Sequence, residues 1–141
     1  MQLTTATQLQ KRGYTVAASV PFPDIDREHY DNIGVEIFPS SRRKLIRATI
    51  QLLYLMLFKA SGKRLPLLNI DGGINAFREA DLVVDLSGDM LTEAHGLHIT
   101  YSHFLPLMNA LLLDKPLVIM AQSIGPFRFS KPVAKFILDK A

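Results

Sequence analysis

Residues 116 to 127 read Pro-Leu-Val-Ile-Met-Ala-Gln-Ser-Ile-Gly-Pro-Phe, and this stretch decides the fold. Its first half, Leu117 to Ala121, is a short continuous apolar run, which predicts a central β-strand buried on both faces. The second half becomes polar at Gln122 and Ser123, and Gly125 allows a close approach of the backbone. In an open parallel sheet, ligands bind beyond the carboxyl ends of the strands. We therefore expect a binding site in this polar tail.

A second apolar run, Leu82 to Leu86, predicts another buried strand. The residues from Ile99 to Leu113 predict a helix, which Pro106 either kinks or begins. Strand, helix and strand make a βαβ unit, in which the two strands are parallel and the crossover is right-handed. The turn after the first strand and the polar tail after the second are then expected at the same end of the sheet.

Asp85 is a carboxylate inside the second apolar run. A buried carboxylate needs hydrogen bonds or a charged partner, because burial alone raises its pKa. Two interpretations stay open. Either Asp85 takes hydrogen bonds from the backbone or a hydroxyl near the end of the strand, or it has a functional role.

Helices and strands alternate along the rest of the chain. We predict helices over Leu3–Arg12, Arg42–Ala60 and Ile74–Ala80, strands over Tyr14–Val20 and Gly34–Phe38, and a last helix that Ser130 caps. The acidic stretch from Pro21 to Asn32 is interpreted as a solvated loop, since its spacing does not match a calcium-binding loop. A helix followed by a strand at the start is the second half of a βαβ unit, so the first strand is expected to be missing. The predicted fold class is a truncated, doubly wound α/β domain with a parallel sheet over residues 1–141.

Composition excludes several classes of protein. The 141 residues are 48% hydrophobic and 21% charged, which suits one globular domain with a sizeable core. The net charge of +3 comes mostly from scattered basic residues, so we expect no nucleic acid partner. The chain has no cysteine, which excludes disulfides and thiol chemistry. The first residues lack the pattern of a signal peptide, and we expect a cytoplasmic protein.

The helix predicted from Arg42 begins with a basic turn, Arg42, Arg43 and Lys44, and continues as an almost wholly apolar run from Leu45 to Phe58. A membrane span needs about 20 apolar residues, and this run is shorter. The pattern favours a buried helix, or one that docks against a partner. Peripheral attachment to a membrane surface, through the basic turn and the apolar body, is the alternative interpretation.

Three segments together resemble the polysaccharide pyruvyl transferase family. They are Asp81-Leu-Val-Val-Asp-Leu-Ser-Gly-Asp89, the helical His-Phe-Leu-Pro-Leu at 103–107, and Lys115-Pro-Leu-Val-Ile-Met-Ala-Gln-Ser-Ile-Gly-Pro-Phe127. The resemblance covers residues 79–141 and, more loosely, residues 3–41. It implies the Rossmann-like N-terminal domain of a two-domain protein with a glycosyltransferase B-type fold. It also implies a transferase that moves the enolpyruvyl group of phosphoenolpyruvate onto a saccharide as a pyruvate ketal, in the synthesis of cell-surface polysaccharide.

The chain departs from the family pattern at several points. Members open with a strand and a loop of Asn-x-Gly-Asp type, which this sequence lacks, and they often have glycines where Leu86, Ser87 and Ala121 stand. The resemblance assigns much of the donor site to a C-terminal domain that is missing here. We therefore expect the chain to be inactive alone and to need that domain as a partner. The donor is a substrate, and no cofactor is implied.

Ketal formation from an enol phosphate requires protonation of the methylene carbon, deprotonation of sugar hydroxyls and stabilisation of the leaving phosphate. A carboxylate and an imidazole suit the acid and base steps. Asp89, after the second strand, is the first catalytic candidate and would bind or deprotonate sugar hydroxyls. His95, between Ala94 and Gly96 in a loop, is the second. The candidate substrate-binding residues are Ser87, Gly88, Gln122, Ser123 and Gly125.

The neighbouring histidines, His98 and His103, are interpreted as residues that cap or flank the following helix. The spacing of His95, His98 and His103 matches no standard metal site, and we predict no metal. Two other functions stay open. The chain is either a non-catalytic sugar-binding or assembly module, with the face around Leu52 to Phe58 as its contact surface, or half of a glycosyltransferase that uses a nucleotide sugar. Fold alone does not separate these functions.

Overall fold

The computed structural model describes residues 2–20, 23–39, 42–60, 72–120 and 123–141. Helices and parallel strands alternate along these parts of the chain, which confirms the α/β class. The helices are α1 (Gln2–Lys11), α2 (Pro23–Asp31), α3 (Arg42–Ala60), α4 (Gly72–Glu79), α5 (Leu97–Leu112) and α6 (Lys131–Leu138). The strands are β1 (Ala17–Val20), β2 (Glu36–Pro39), β3 (Val83–Asp85) and β4 (Leu117–Ile119). The chain divides into two compact units, Met1–Ser41 and Arg42–Ala141.

The first unit pairs β1 with β2 in parallel, from Ala17 opposite Glu36 to Val20 opposite Pro39. Its small core contains Ala6 of α1, Val20 of β1, and Tyr30 and Val35. The segment from Pro21 to Asn32 was expected to be a loop, and this prediction was wrong because α2 occupies most of it. Tyr30, only 5% exposed, anchors α2 in the core, while Arg27 and Glu28 before it are exposed. One buried aromatic among polar residues gives a weak helical pattern, which explains the error.

The second unit contains the predicted βαβ unit. β3 and β4 are parallel neighbours, with Val83 opposite Leu117, Val84 opposite Val118 and Asp85 opposite Ile119. Helix α5 connects them and contains Pro106, so the helix begins nine residues before this proline rather than at it. The pairing and the order of the three elements are as predicted.

The main core covers one face of the β3–β4 sheet. It is formed by residues of α4, α5, β4 and α6, together with one residue between β3 and α5. These residues are Phe77, Leu91, Phe104, Leu107, Ala110, Leu117, Ala134 and Ile137. Strand residues alternate between the two faces, so Leu117 is 4% exposed whereas Val118 is 40% exposed. The expectation that these strands are buried on both faces was wrong, because within the described residues the core covers a single face.

Helix α3 confirms the prediction for Arg42–Ala60 and packs on α5. The contact includes a buried polar pair, Thr49 and Asn109. The Thr49 hydroxyl lies 2.8 Å from the side-chain oxygen of Asn109 and 2.8 Å from the carbonyl oxygen of Leu45, and its one proton serves either acceptor. Ser40 or Ser41 is expected from the sequence to cap this helix, and both lie outside the described residues. In the described parts of the chain, no helix is long and apolar enough to cross a membrane.

Candidate functional site

The carboxyl ends of β3 and β4 lie at the same end of their sheet, because the two strands are parallel and in register. The turn after β3 holds three of the predicted site residues. The backbone N–H of Ser87 donates to Oδ1 of Asp85 at 3.1 Å, which bends the chain away from the strand. Gly88 follows with a φ of 78°, a conformation that favours glycine. Asp89 then projects into solvent.

The tail after β4 returns to the segment that follows this turn. The Gly125 N–H donates to the carbonyl oxygen of Leu91 at 2.8 Å, and the Glu93 N–H donates to the carbonyl oxygen of Pro126 at 3.2 Å. Gly125 has a φ of 81°. Ser123, which is exposed, lies between the end of β4 and Gly125. Gln122 lies outside the described residues. We refer to residues 85–95 and 123–126 as the strand-end site.

The two residues predicted to be catalytic lie side by side in the strand-end site. Nε2 of His95 is 3.7 Å from Oδ2 of Asp89. Both side chains are open to solvent, with 40% of His95 and 70% of Asp89 exposed. An exposed contact between a carboxylate and an imidazole contributes little to stability, so the pair has no evident structural purpose.

His95 owes its position to a short 3-10 turn, Glu93–His95, which Thr92 anchors. The Thr92 hydroxyl accepts from the Ala94 N–H at 3.1 Å. The hydroxyl of Thr100, a fully buried residue of α5, donates to the Thr92 carbonyl oxygen at 2.7 Å. The turn is therefore attached to α5 by a buried hydrogen bond, although its last residue reaches into solvent.

His103 belongs to the same neighbourhood, and the sequence interpretation gave it no such role. Burial lowers the pKa of His103, while the charge of Asp85 raises this pKa and that of His95 lowers it further. The half-buried imidazole on α5 thus interacts with Asp85 and His95. A signal was present in the sequence: Thr100, His103, Phe104 and Leu107 have the spacing of one helix face, and the other three are core residues.

Glu93 joins the strand-end site to the start of α6. One carboxylate oxygen accepts from the Arg128 N–H at 2.9 Å, and the other accepts from the Phe129 N–H at 2.9 Å and the Ser130 N–H at 2.5 Å. The Ser130 hydroxyl also donates to it at 2.5 Å, so Ser130 stands at the N-cap position without capping α6 by its own side chain. Desolvation raises the pKa of Glu93, but the hydrogen bonds from Ser130, Arg128 and Phe129 outweigh it and lower the pKa.

This contact bears on whether the start of α6 can bind a phosphate group. Helix N-termini are natural phosphate sites, because their N–H groups and dipole favour negative charge. At α6 the Glu93 carboxylate holds the N–H group of the N-cap residue Ser130, and its negative charge at this helix end disfavours a phosphate there. Two cations are near by in sequence: the Arg128 guanidinium lies 5.3 Å above the Phe129 ring, and Lys131 is exposed.

The remaining histidine of this region, His98, has a different partner. Arg42 of α3 forms a hydrogen bond with Nε2 of His98, at the start of α5. His98 therefore joins two helices. Among the described residues, no group of three or more histidine, aspartate and glutamate side chains is arranged to hold a metal ion.

Comparison with known protein families, with curated proteins and with solved structures finds no match for this chain. The chemistry of the site is thus inferred from its own groups. A carboxylate next to an imidazole is suited to accept a proton from a hydroxyl and to return one to a reacting atom. The water-exposed location favours a large hydrophilic substrate over a small apolar one.

Proposed function

We propose that this chain serves in the transfer of pyruvate from phosphoenolpyruvate to a saccharide, as part of a polysaccharide pyruvyl transferase. Its second unit is then part of a Rossmann-like, doubly wound N-terminal domain, and its reaction belongs to the cytoplasmic stage of cell-surface polysaccharide synthesis. The observation that carries the proposal is the 3.7 Å pair of Asp89 and His95 at the carboxyl ends of two parallel strands. The resemblance of residues 79–141 to this family supplies the reaction type.

In this reaction Asp89 accepts the proton of a sugar hydroxyl, while His95 orients the carboxylate and carries a proton to or from the reacting centre. The hydroxyl oxygen adds to the central carbon of the donor, whose methylene carbon takes up a proton. A second sugar hydroxyl then displaces phosphate, which leaves with the proton of that hydroxyl, and the ketal closes. The backbone around Ser87, Gly88 and Gly125 provides polar groups for the saccharide.

The donor is held mainly by another part of the protein in this proposal. Phosphoenolpyruvate carries up to three negative charges and needs several convergent cations or free helix N-termini. The Glu93 carboxylate lies against Ser130, the N-cap residue of α6, where its charge disfavours a phosphate, and Arg128 and Lys131 are the nearby cations in the described sequence. A C-terminal domain is the expected source of the rest of the donor site.

The test is the Asp89→Asn variant of the protein that carries this chain, assayed for pyruvate transfer from phosphoenolpyruvate to a saccharide. General-base catalysis contributes roughly 10²- to 10⁴-fold, so turnover should fall within that range. The KM for phosphoenolpyruvate should change less, because Asp89 acts on the acceptor. Asp31→Asn, an exposed carboxylate of α2, is the matched control. Unchanged turnover in Asp89→Asn, or tight donor binding by residues 1–141 alone, contradicts the proposal.

A non-catalytic saccharide-binding module is the second candidate. The observation that favours it is the exposure of Asp89 and His95, since a catalytic pair is usually shielded from water. Titration of the protein with oligosaccharides, followed by NMR, separates the two functions. Saccharide binding that Asp89→Asn weakens, in a protein that never releases phosphate from phosphoenolpyruvate, establishes the module and excludes the transferase. The face from Leu52 to Phe58 is not a free surface throughout, since Leu52 is 4% exposed.

A further inference from the structure

Helix α3 carries an apolar stripe on its outer side. Ile46, Ile50, Leu53 and Tyr54 have helical spacing and are all exposed, Ile50 by 62%. The opposite side of the helix is buried through Leu45, Ala48 and Leu52. We refer to the four exposed residues as the α3 stripe. Contiguous exposed apolar residues of this kind mark interaction surfaces.

Basic residues lie beside the N-terminal half of the α3 stripe. Residues 42–60 contain Arg42, Arg43, Lys44, Arg47 and Lys59 and no aspartate or glutamate. Arg43, Lys44 and Arg47 are exposed, on the same two turns as Ile46 and Ile50. The charged residues of the helix are therefore all basic, and they lie next to an exposed apolar surface. This combination is typical of helices that lie in the interface of an anionic membrane.

A groove opens beside the stripe, between α3, α5 and α6. It has a volume of about 230 Å³ and is lined by apolar residues of α5 and α6, together with Ile46 and Arg42 of α3. An apolar cavity of about 150 Å³ accepts benzene, so this groove has room for part of an acyl chain. Arg42 supplies a cation for the head group of such a chain.

We propose that α3 docks the protein onto an anionic lipid bilayer. The α3 stripe enters the interface, Arg43, Lys44 and Arg47 contact the head groups, and the groove accepts part of one acyl chain. The charge argues against a second copy of the chain as the occupant, since two such helices would bring only like charges together. The proposal concerns attachment and is independent of the reaction proposed above.

The first test measures co-sedimentation of the protein with vesicles of phosphatidylglycerol and phosphatidylcholine. Binding is expected to these vesicles and to fall at least tenfold for pure phosphatidylcholine. Ile50→Glu should abolish binding, whereas Tyr14→Glu, at a residue of the first unit that is also 62% exposed, should leave it unchanged. Circular dichroism of each variant verifies the fold. Equal loss in both variants, or equal binding to neutral vesicles, overturns the proposal.

The second test removes charge. Each lysine or arginine near an anionic surface strengthens binding about fivefold, so Arg43→Gln with Lys44→Gln should weaken it by more than tenfold. Lys11→Gln with Arg12→Gln, which removes the same charge from the exposed end of α1, is the control. Light scattering measures whether a second copy of the chain, rather than a membrane, covers the α3 stripe. A stable dimer that Ile50→Glu converts to a monomer, with no vesicle binding by the parent, overturns the proposal in favour of self-association.

Discussion

His103 shows how burial changes the chemistry of one side chain. In the folded protein its pKa lies below the ordinary value of 6.5, mainly because burial disfavours the charged form. Asp85 opposes this shift and His95 adds to it. At neutral pH the imidazole is therefore uncharged and available as a proton acceptor next to the strand-end site.

We predict a pH-dependent stability from this residue. Since the folded-state pKa is lowered, neutral His103 contributes its full stability above pH 6.5, and the contribution is lost as the pH falls through the folded-state pKa. Urea unfolding between neutral and mildly acidic pH should therefore show a smaller decline in the free energy of unfolding for His103→Gln than for the parent. His29→Gln, on the exposed side of α2, is the control. An NMR titration that places the His103 pKa at or above 6.5 contradicts the prediction.

At the scale of elements, Glu93 is the connection between the 3-10 turn and α6. Replacing it with glutamine removes the charge and turns an N–H group towards the N–H groups of Phe129 and Ser130. Thermal unfolding of Glu93→Gln at pH 7 should give a lower Tm than the parent. Glu28→Gln, an exposed residue of α2, should not.

The same variant has a defined dependence on pH. The folded-state pKa of Glu93 is lowered, so its contribution is present above the ordinary value of 4.5 and is lost as the pH falls through the folded-state pKa. The difference in Tm between Glu93→Gln and the parent should therefore shrink in acid. A difference that stays constant or grows with acidity shows that the carboxylate charge is not what holds α6.

The elements show which sequence signals are dependable. Continuous apolar runs in the sequence predicted β3 and β4 correctly, and the helix predicted between them implied the parallel pairing that the structure has. Burial on both faces was wrong, because an apolar run does not reveal how many layers cover a sheet. Helix α2 was missed because one tyrosine anchors it among charged residues. Local pattern thus predicts elements better than it predicts their surroundings.

The site follows the same rule at the scale of the whole molecule. Asp89 and the Gly125 tail were predictable together, because parallel strands end at one side of a sheet. The pairing of Glu93 with Phe129 and Ser130 was not, since these residues are more than thirty positions apart and no periodic pattern links them. Such contacts depend on the final packing of turns, which the sequence does not encode locally.

The core of the second unit depends on a few fully buried side chains, of which Leu91 is one. Leu91 is 1% exposed and is the residue of the strand-end site that packs in the main core cluster. Leu91→Ala should lower the free energy of unfolding by about 2–5 kcal/mol, through lost burial and the cavity that remains. Leu97→Ala, at a residue that is 40% exposed, should change it by less than about 1 kcal/mol. Urea denaturation measures both, and equal effects contradict the assigned core.

The buried pair of Thr49 and Asn109 has a consequence for how α3 finds its place. Helix α3 is apolar on several sides, and apolar contacts alone allow many rotations and translations of one helix along another. A slip of one turn would separate the hydroxyl from the amide, and the buried side-chain oxygen of Asn109 would lose its hydrogen bond at a cost of about 1–3 kcal/mol, while the hydroxyl would keep its bond to the Leu45 carbonyl oxygen. The hydrogen bond between these two polar side chains therefore favours one alignment of α3 on α5 over others of nearly equal packing energy.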